Sequence, residues 1–375
     1  MQKKAPGPDG FSSGFFHANW ELVGPDIIDA VKSFFQTGKI LKAWNTTAIS
    51  LIPKVQVPCT MKDFRPISCC NVVYKCISKL LVERIKPFLD VLVGPQQSAF
   101  VKGRHIADNI LLMQELVRGY HRGDGPGSCA LKIDIQKAYD SVDWGYLKKV
   151  LVAMNFHPSM VNWLMCCVTT PSYSISLNGY LEGFFNGAKG LRQGDPISPY
   201  LFILIMEAFS NLLDAQGEMP NFTFHPKCKD LKLSHVIFAD DLFVLCGANI
   251  GSLELIKEAF DVFGNESGLK PNLMKSSMFL SGVSEEEKSR LSVYMGMEVQ
   301  DFPVRYLGVP LISTRLKARD CESIKLRILN KIHCWTSKVL SYAGRIQLAV
   351  SVLVLPKQIL KEIDATIRSF VWFGS

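Results

Sequence analysis

The chain has 375 residues, of which 48% are hydrophobic and 20% are charged, a composition that allows a sizeable core and excludes global disorder. Its formal net charge of +8 is a mild basic excess that favours a polyanionic partner. The N-terminus lacks the apolar segment of a signal peptide, and the longest apolar run, Tyr200–Met206, is too short to span a bilayer. Eleven cysteines without a C-x-x-C pair indicate free thiols in a reducing compartment. We therefore expect a protein that is neither secreted nor membrane-embedded.

The N-terminal third of the sequence predicts helices on either side of a strand pair. Apolar residues at helical spacing favour a helix around Phe15–Phe35. In TAISLIPKVQVPCTMKDFRPIS, two short strand-like runs flank a loop that holds Lys54, Lys62 and Arg65. A long amphipathic helix follows, with apolar positions at Val72, Ile77, Leu80, Leu81 and Ile85.

The middle of the sequence predicts a strand, a helix and a hairpin. In CALKIDI, Leu131 and Ile133 point to one face of a strand. Lys132 and Asp134 point to the opposite, polar face. SVDWGYLKKVLVAM has the apolar spacing of a helix, and YSISLNGYLEGFF predicts a hairpin whose turn is Asn178–Gly179.

The second half of the sequence is mostly helical, with a few short strands. DPISPYLFILIMEAFSNLL predicts a helix with Ser198 as its N-cap and Pro199 at its first position. A further helix is expected through Leu253–Phe263, and VRYLGVPL predicts a short strand pair. From about residue 315 the pattern is helical, and residues 315–345 carry a basic excess that could follow the phosphates of a duplex.

The stretch SHVIFADDLFVLCG places two adjacent carboxylates, Asp240 and Asp241, inside what otherwise reads as a buried strand. A buried ionised carboxylate costs several kcal/mol unless another group neutralises it. One interpretation is the exposed tip of a tight hairpin, where aspartate is an ordinary turn residue. The other is a hairpin that delivers carboxylates to a metal ion.

Asp134 favours the metal interpretation. It lies on the polar face of its own strand, 106 residues before Asp240, and two such strands could meet side by side in one sheet. Magnesium binds one or two carboxylates and takes its remaining ligands from water and substrate phosphate. Two ions about 3.5–4 Å apart stabilise the attacking and leaving oxygens of an in-line displacement, which is the requirement of a nucleotide polymerase.

The order of motifs along the chain carries a family resemblance. The sequence resembles the reverse transcriptase of non-LTR (LINE-type) retrotransposons, closest to plant elements. The stretches that match, in the family's order, are KAPGPDGF, LIPK, FRPIS, QSAFVKGRHIADNI, KIDIQKAYDSVDW, GLRQGDPISPYLF, FADD, GLKPNLMKS and YLGVPL. This resemblance implies an α+β right-hand polymerase, with fingers at residues 1–125, a palm with an antiparallel sheet at 126–311, and a helical thumb at 312–375.

The resemblance also implies a metal site. The side chains of Asp134, Asp240 and Asp241 and the backbone carbonyl of Ile135 match the ligands of two Mg²⁺ ions, for which Mn²⁺ can substitute. Asp134, Asp240 and Asp241 would then be catalytic residues.

The remaining site residues follow from the same resemblance, each with an ordinary alternative. Tyr139 matches the aromatic residue that packs on the incoming sugar and resists a 2′-hydroxyl, although it could be a core residue at a helix entry. Lys54 and Arg65 match basic residues that hold the triphosphate, although both could be solvated loop charges.

Two loops supply the other predicted site residues. Gln193 and Gly194 match residues that position the templating base and the nucleotide, although a plain turn would have the same sequence. Lys275 matches a lysine that protonates the pyrophosphate leaving group as a general acid, although a solvated loop lysine would have the same sequence. The nearby Asp195 is predicted to be structural, as an acidic residue near a helix N-terminus.

The function implied is an RNA-directed DNA polymerase that adds dNTPs to a DNA primer on an RNA template. No protein partner can be inferred. The resemblance to this family implies a nuclear or cytoplasmic location. The family's endonuclease and Cys/His-rich knuckle are not recognisable, and SVLVLPKQIL looks shortened, so the thumb is expected to be truncated. A catalytically inactive, nucleic-acid-binding remnant is therefore the main alternative. A maturase-like splicing cofactor ranks last, because no maturase helices are recognisable.

Overall fold

Helices and strands alternate through the part of the chain that the computed structural model describes, which comprises residues 5–123 and 125–314 with Leu326 and Asn330. The predicted thumb lies almost wholly outside the described residues. The helices are α1 (Ser13–Ala18), α2 (Trp20–Thr37), α3 (Val72–Ile85), α4 (Leu89–Leu92), α5 (Ile106–Leu116), α6 (Ala138–Ser141), α7 (Trp144–Ala153), α8 (Pro158–Thr169), α9 (Ser198–Gly217), α10 (Ile250–Ser267) and α11 (Glu285–Met295). None of the helices in this part is long and apolar enough to cross a membrane.

The strands form two larger sheets and a separate hairpin. They are β1 (Thr46–Pro53), β2 (Phe64–Cys70), β3 (Ser128–Ile133), β4 (Ser172–Leu177), β5 (Tyr180–Asn186), β6 (His235–Phe238), β7 (Asp241–Gly247), β8 (Ser277–Ser281), β9 (Glu298–Val299), β10 (Val304–Tyr306) and β11 (Val309–Leu311). Strands β10 and β11 pair with each other, which confirms the strand pair predicted from VRYLGVPL.

The central sheet has the strand order β6-β7-β3-β8-β9, and β3 pairs antiparallel with both of its neighbours. Every residue of β3 is buried except Lys132, which is half-buried. One face of the sheet packs on α9 and α10, and the other face packs on α5 and on the β10–β11 hairpin. Because both faces are covered, the strands read as nearly continuous apolar runs.

Strands β6 and β7 form the hairpin that carries the adjacent carboxylates. Phe238 pairs with Asp241, so the turn consists of Ala239 and Asp240. Ala239 has a φ of +56°, in the left-handed region that non-glycine residues seldom adopt. The predicted hairpin is therefore confirmed, and Asp240 lies at its tip.

The second sheet has the order β2-β1-β4-β5 and joins distant parts of the chain. Strand β1 pairs antiparallel with β2 and parallel with β4, and β4 and β5 form the hairpin predicted at Asn178–Gly179. Both turn residues have a positive φ, as such a turn requires. This sheet combines strands from the predicted fingers with strands from the predicted palm, and the boundary at residue 125 stays a prediction.

A buried ion pair connects strand β1 of the second sheet to the helices packed beside it. Arg192 and Asp195 lie 2.9 Å apart, and both side chains are almost completely inaccessible to solvent. The Arg192 guanidinium also donates hydrogen bonds to three oxygens and stacks on the Tyr74 ring, with 4.0 Å between the guanidinium carbon and the ring centre. The three accepting groups are Asn45 Oδ1, Thr47 Oγ1 and the Cys167 carbonyl.

Asp195, like Arg192, takes part in several buried hydrogen bonds. Its carboxylate accepts hydrogen bonds from the hydroxyls of Tyr74 and Ser78 on α3 and from the backbone N–H of Ile197. The expected structural role near a helix start therefore agrees with the geometry. The predicted N-cap is wrong by one residue: α9 begins at Ser198, and its N-cap is Ile197, with no hydrogen bond from a capping side chain.

Replacing Asp195 with Asn should destabilise the fold strongly. The change keeps the size of the side chain but leaves the Arg192 charge buried without a counter-charge, which costs about 3–5 kcal/mol of unfolding free energy. Glu266→Gln is the matched control, because it breaks an exposed pair with Lys149 (N–O distance 2.9 Å) and should change stability little. Urea unfolding of both variants measures the difference. Equal effects would show that the buried pair contributes no more to stability than an exposed pair does.

Candidate active site

The pairing of β3 with β7 brings the predicted carboxylates to the same end of the central sheet. The register runs from Ser128 opposite Gly247 to Ile133 opposite Leu242. Continued by one residue, it places Asp134 opposite Asp241, where the side chains of facing residues lie about 5 Å apart at Cβ. Asp240 follows at the hairpin tip, so the structure brings Asp134, Asp240 and Asp241 together.

Residues 270–276 hold the segment around Asp134 from the other side. The Asn272 N–H donates to the Asp134 carbonyl over 2.7 Å, and the Gln136 N–H donates to the Lys270 carbonyl over 2.9 Å. These two bonds make Ile135 a non-hydrogen-bonded partner of Pro271. The Ile135 carbonyl therefore points away from Pro271 and towards the β7 side, which is the direction that a backbone ligand of the predicted site requires.

The carboxylates affect one another electrostatically. Desolvation, followed by repulsion from Asp134, raises the pKa of Asp240 above its ordinary value. Desolvation also raises the pKa of Asp241, with further contributions from Asp240 and Asp134, while Lys132 opposes the increase. Mutual repulsion of this kind requires the three charges to be close neighbours.

The donor chemistry of the site fits a hard divalent cation, although its geometry is open. Among the described residues, no group of three or more His, Cys, Asp or Glu side chains is arranged so that it could hold a metal ion by itself. Mg²⁺ needs only one or two carboxylates when substrate phosphate and water complete its shell. Like charges without a cation also repel one another, so an open arrangement is the expected one.

Tyr139 contributes both to packing and to the site. Its ring stacks on the buried Phe202 of α9, with ring centres 4.9 Å apart and an interplanar angle of 15°. Desolvation and the charge of Asp240 raise the pKa of the Tyr139 hydroxyl to about 12. The two alternatives considered for this residue are therefore compatible, since one ring face packs on the core while the side chain lies near the carboxylates.

Asp140 is a site residue that the sequence reasoning missed. Its carboxylate accepts a hydrogen bond of 3.4 Å from the Gln193 side chain. Desolvation raises its pKa, while the charges of Lys137 and Lys54 oppose that increase. Lys54, Asp140 and Gln193 are therefore neighbours, and the position of Asp140 directly after Tyr139 was the signal available in the sequence.

Gly194 lies where only a glycine fits. Its φ is +108°, and a Cβ at this position would be 3.0 Å from the Ser68 carbonyl oxygen on β2. The preceding residue, Gln193, accepts a hydrogen bond of 2.7 Å from the Ser68 N–H. The loop before α9 is thus joined to the sheet that carries Lys54 and Arg65.

Arg65 and Lys275 are both exposed, and they lie in different parts of the structure. Arg65 pairs with Ile52 at the loop end of the β1–β2 hairpin, where Lys54 begins the connecting loop. Lys275 is in the turn that begins at Asn272, the residue bonded to the Asp134 carbonyl. The structure therefore brings the backbone of Lys275 near Asp134, and the role of its ammonium group stays a prediction.

The arrangement of helices and sheets is that of a right-hand polymerase fold. Residues 52–311 match the family described as reverse transcriptase (RNA-dependent DNA polymerase), and the chain belongs to that family. A solved structure of telomerase from Candida tropicalis in complex with a fragment of telomeric RNA is similar in fold, with a TM-score of 0.52 and 11% sequence identity. The match covers 94% of this chain and 58% of the telomerase chain, and it confirms the predicted fold.

Two curated relatives extend over most of the chain. A 149 kDa protein of transposon TX1 from Xenopus laevis is 28% identical and covers 99% of this chain. The Pol polyprotein of retrotransposable element R2DM from Drosophila melanogaster is 25% identical and covers 87%. The chain spans 29% and 31% of their lengths. Both support the resemblance to non-LTR elements, whereas a particular closeness to plant elements is not supported, because these relatives come from animals.

Replacing Asp240 with Asn should stabilise the metal-free protein at neutral pH. Because the folded state raises the pKa of Asp240 above 3.8, it binds this proton more tightly than the unfolded chain does. The free energy of unfolding therefore decreases as the pH rises from 3.8 through the folded-state pKa of Asp240. At neutral pH the ionised group is unfavourable to folding. The advantage of the variant should shrink as the pH falls towards 3.8.

Urea unfolding across a pH series, with a chelator present, measures this effect. Asp230→Asn, at an exposed turn position, is the control and should show no comparable gain. An advantage of Asp240→Asn that is independent of pH would contradict the electrostatic origin.

Proposed function

We propose that this chain is an RNA-directed DNA polymerase that adds dNTPs to the 3′ end of a DNA primer paired with an RNA template. The observation that carries the proposal is the β3–β7 register, which places Asp134 beside Asp241 with Asp240 at the adjoining turn. Carboxylates gathered in this way are suited to holding divalent ions at a phosphoryl-transfer site. Membership of the reverse transcriptase family supports the same reaction.

The side chains of Asp134, Asp240 and Asp241 and the Ile135 carbonyl would hold two Mg²⁺ ions, with Mn²⁺ as a possible substitute. When bound, such ions neutralise charge on the attacking and leaving oxygens. Without them, desolvation and then crowding with neighbouring carboxylates raise the pKa values of Asp240 and Asp241. This crowding supports a site that is completed by cations and substrate.

The other predicted residues would bind and orient the nucleotide. Lys54 and Arg65 are exposed on the β1–β2 hairpin, where their charges can pair with triphosphate oxygens. Lys275 would donate a proton to the pyrophosphate as it leaves.

The loop of Gln193 and Gly194 would position the templating base and the nucleotide. Gly194 lets the backbone approach closely, and the hydrogen bond between Gln193 and Asp140 keeps this loop next to the carboxylates. The chain's net charge of +8 agrees with template and primer as its polyanionic partners. We propose that the chain acts in the nucleus or the cytoplasm, where it would meet its RNA template and DNA primer.

Substituting Asp240 with Asn tests the polymerase proposal. The variant keeps the size of the side chain but removes one charge from the metal site, and we expect Mg²⁺-dependent primer extension to fall by orders of magnitude. Binding of a primed RNA template should change little, because basic residues elsewhere make most phosphate contacts. Single-nucleotide extension and template binding should be measured side by side at one salt concentration.

Asp230→Asn controls for the loss of a charge at an exposed position and should extend primers like the parent. Robust extension by Asp240→Asn would contradict the catalytic assignment. A parent that binds the template but extends no primer would instead favour the inactive remnant.

Replacing Tyr139 with Val should weaken selection against ribonucleotides. If the ring blocks the 2′-hydroxyl, removing it should reduce the dNTP-over-rNTP preference by about tenfold or more, the scale of a lost steric contact. Competitive single-turnover incorporation measures that ratio independently of overall activity. Tyr146→Val is the control, because Tyr146 packs edge-on against Phe263 with ring centres 5.9 Å apart, and its loss should leave the ratio unchanged. An unchanged ratio in Tyr139→Val would show that the ring only packs.

A further inference from the structure

A buried glutamine lies behind the hairpin that carries the catalytic carboxylates. Gln97 has a relative exposure of 0% and is in the segment that precedes α5. Its Oε1 accepts two backbone hydrogen bonds, from the Ala99 N–H over 2.9 Å and from the Ala239 N–H over 3.0 Å. Ala239 is the turn residue next to Asp240, so Gln97 contacts the turn directly although the two positions are 142 residues apart.

The orientation of the Gln97 amide is determined by these two bonds. Both groups that face Oε1 are N–H donors, and a flipped amide would place its own donors against them. In this orientation, Gln97 Nε2 is buried without a hydrogen-bond partner among the described residues. An unsatisfied buried donor costs about 1–3 kcal/mol. A side chain chosen for stability alone would avoid that cost, so the accepting oxygen points to a positioning role.

The turn itself needs support of this kind. Ala239 adopts a φ of +56°, and the left-handed conformation costs a non-glycine residue about 1–2 kcal/mol. A hydrogen bond to its N–H stabilises this conformation over the extended alternatives. The direction of the Asp240 side chain depends on the backbone of Ala239, because the two residues form the turn together.

Neighbouring contacts hold the strand but do not reach the turn. The Ser98 N–H and the Asn109 side chain both donate to the Ile237 carbonyl, over 3.1 and 3.0 Å. The Ile237 N–H donates to the Gln96 carbonyl over 2.8 Å. These bonds fix β6 two residues before the turn, whereas the Gln97 side chain is bonded to the turn itself.

We propose that Gln97 is a positioning residue of the active site, whose amide oxygen fixes the Ala239–Asp240 turn and thereby the affinity of the carboxylates for divalent cations. This inference rests on the proposed function. Groups that orient metal ligands typically contribute about 10–100-fold to metal affinity or activity. Gln97 touches neither metal nor substrate, so its effect must pass through Ala239.

Gln97→Met tests the proposal, because methionine keeps the length and volume of the side chain but cannot accept the two N–H bonds. We expect Mn²⁺ binding to the purified chain, measured by electron paramagnetic resonance without nucleic acid, to weaken about tenfold or more. Backbone hydrogen exchange across residues 236–242 should become faster. In primer extension, kcat should fall and the Mg²⁺ concentration for half-maximal rate should rise, while template–primer affinity stays the same.

Gln96→Met is the matched control. Gln96 is the preceding residue and has the same side chain, which instead donates to Asp214 over 3.0 Å and faces away from the turn. It should bind Mn²⁺ like the parent. If Gln97→Met does not fold, Gln97→Asn replaces it, because asparagine stays polar but is one methylene too short to reach the Ala239 N–H.

The outcomes separate this inference from the function it rests on. Weakened Mn²⁺ binding with a folded chain and an unaffected Gln96 variant supports the positioning role. Parent-like Mn²⁺ binding by the Gln97 variant overturns it, even if the parent is an active polymerase. A parent that neither binds Mn²⁺ nor extends a primer overturns both the proposed function and this inference.

Discussion

Repulsion among carboxylates at one end of the central sheet is the constraint around which the described structure is arranged. Desolvation and the charges of neighbouring carboxylates raise the pKa values of Asp240 and Asp241, and Lys132 opposes the increase at Asp241. Three like charges cannot be held together by their own interactions. The surrounding backbone must therefore hold them by hydrogen bonding and burial of the strands that carry them.

The hydrogen bonds around this group come from three directions. Strand β7 sets the register against β3, the turn at Asn272 binds the Asp134 carbonyl, and the segment at Gln97 binds the hairpin tip. All three anchors bind backbone groups of the site and none of them binds a carboxylate. Anchoring through the backbone suits a site whose carboxylates are proposed to bind cations while substrates enter and leave.

A second set of polar contacts connects the strands and the loop that carry the residues proposed to bind the nucleotide. The buried Arg192–Asp195 pair joins α3, β1 and the loop before α9. Gly194 in that loop packs against the Ser68 carbonyl on β2, so a shift of either sheet would move the residues proposed to meet the nucleotide. The telomerase structure shares this overall fold at 11% identity, which indicates that the arrangement tolerates extensive change in sequence.

Local patterns in the sequence predicted the two hairpins, the strand before Asp134 and the positions of the carboxylates, whereas β8 and β9 were not predicted. Alternation and turn residues act over a few neighbours, so the Asn178–Gly179 turn and the strand that ends before Asp134 could be read directly. The likeness of the ordered motifs to a known family supplied the roles expected for Tyr139 and Lys275, which periodicity alone would not have assigned.

Only the tertiary structure decided which distant polar groups meet. The parallel pairing of β1 with β4, the contact between Asp140 and Gln193, and the bond from Ala239 to Gln97 each join residues separated by 50 or more positions. Such contacts have no period in the sequence, because a single buried donor or acceptor is satisfied by whichever group the packed chain brings to it. Their partners are therefore determined by the packing of whole elements, which no local stretch encodes.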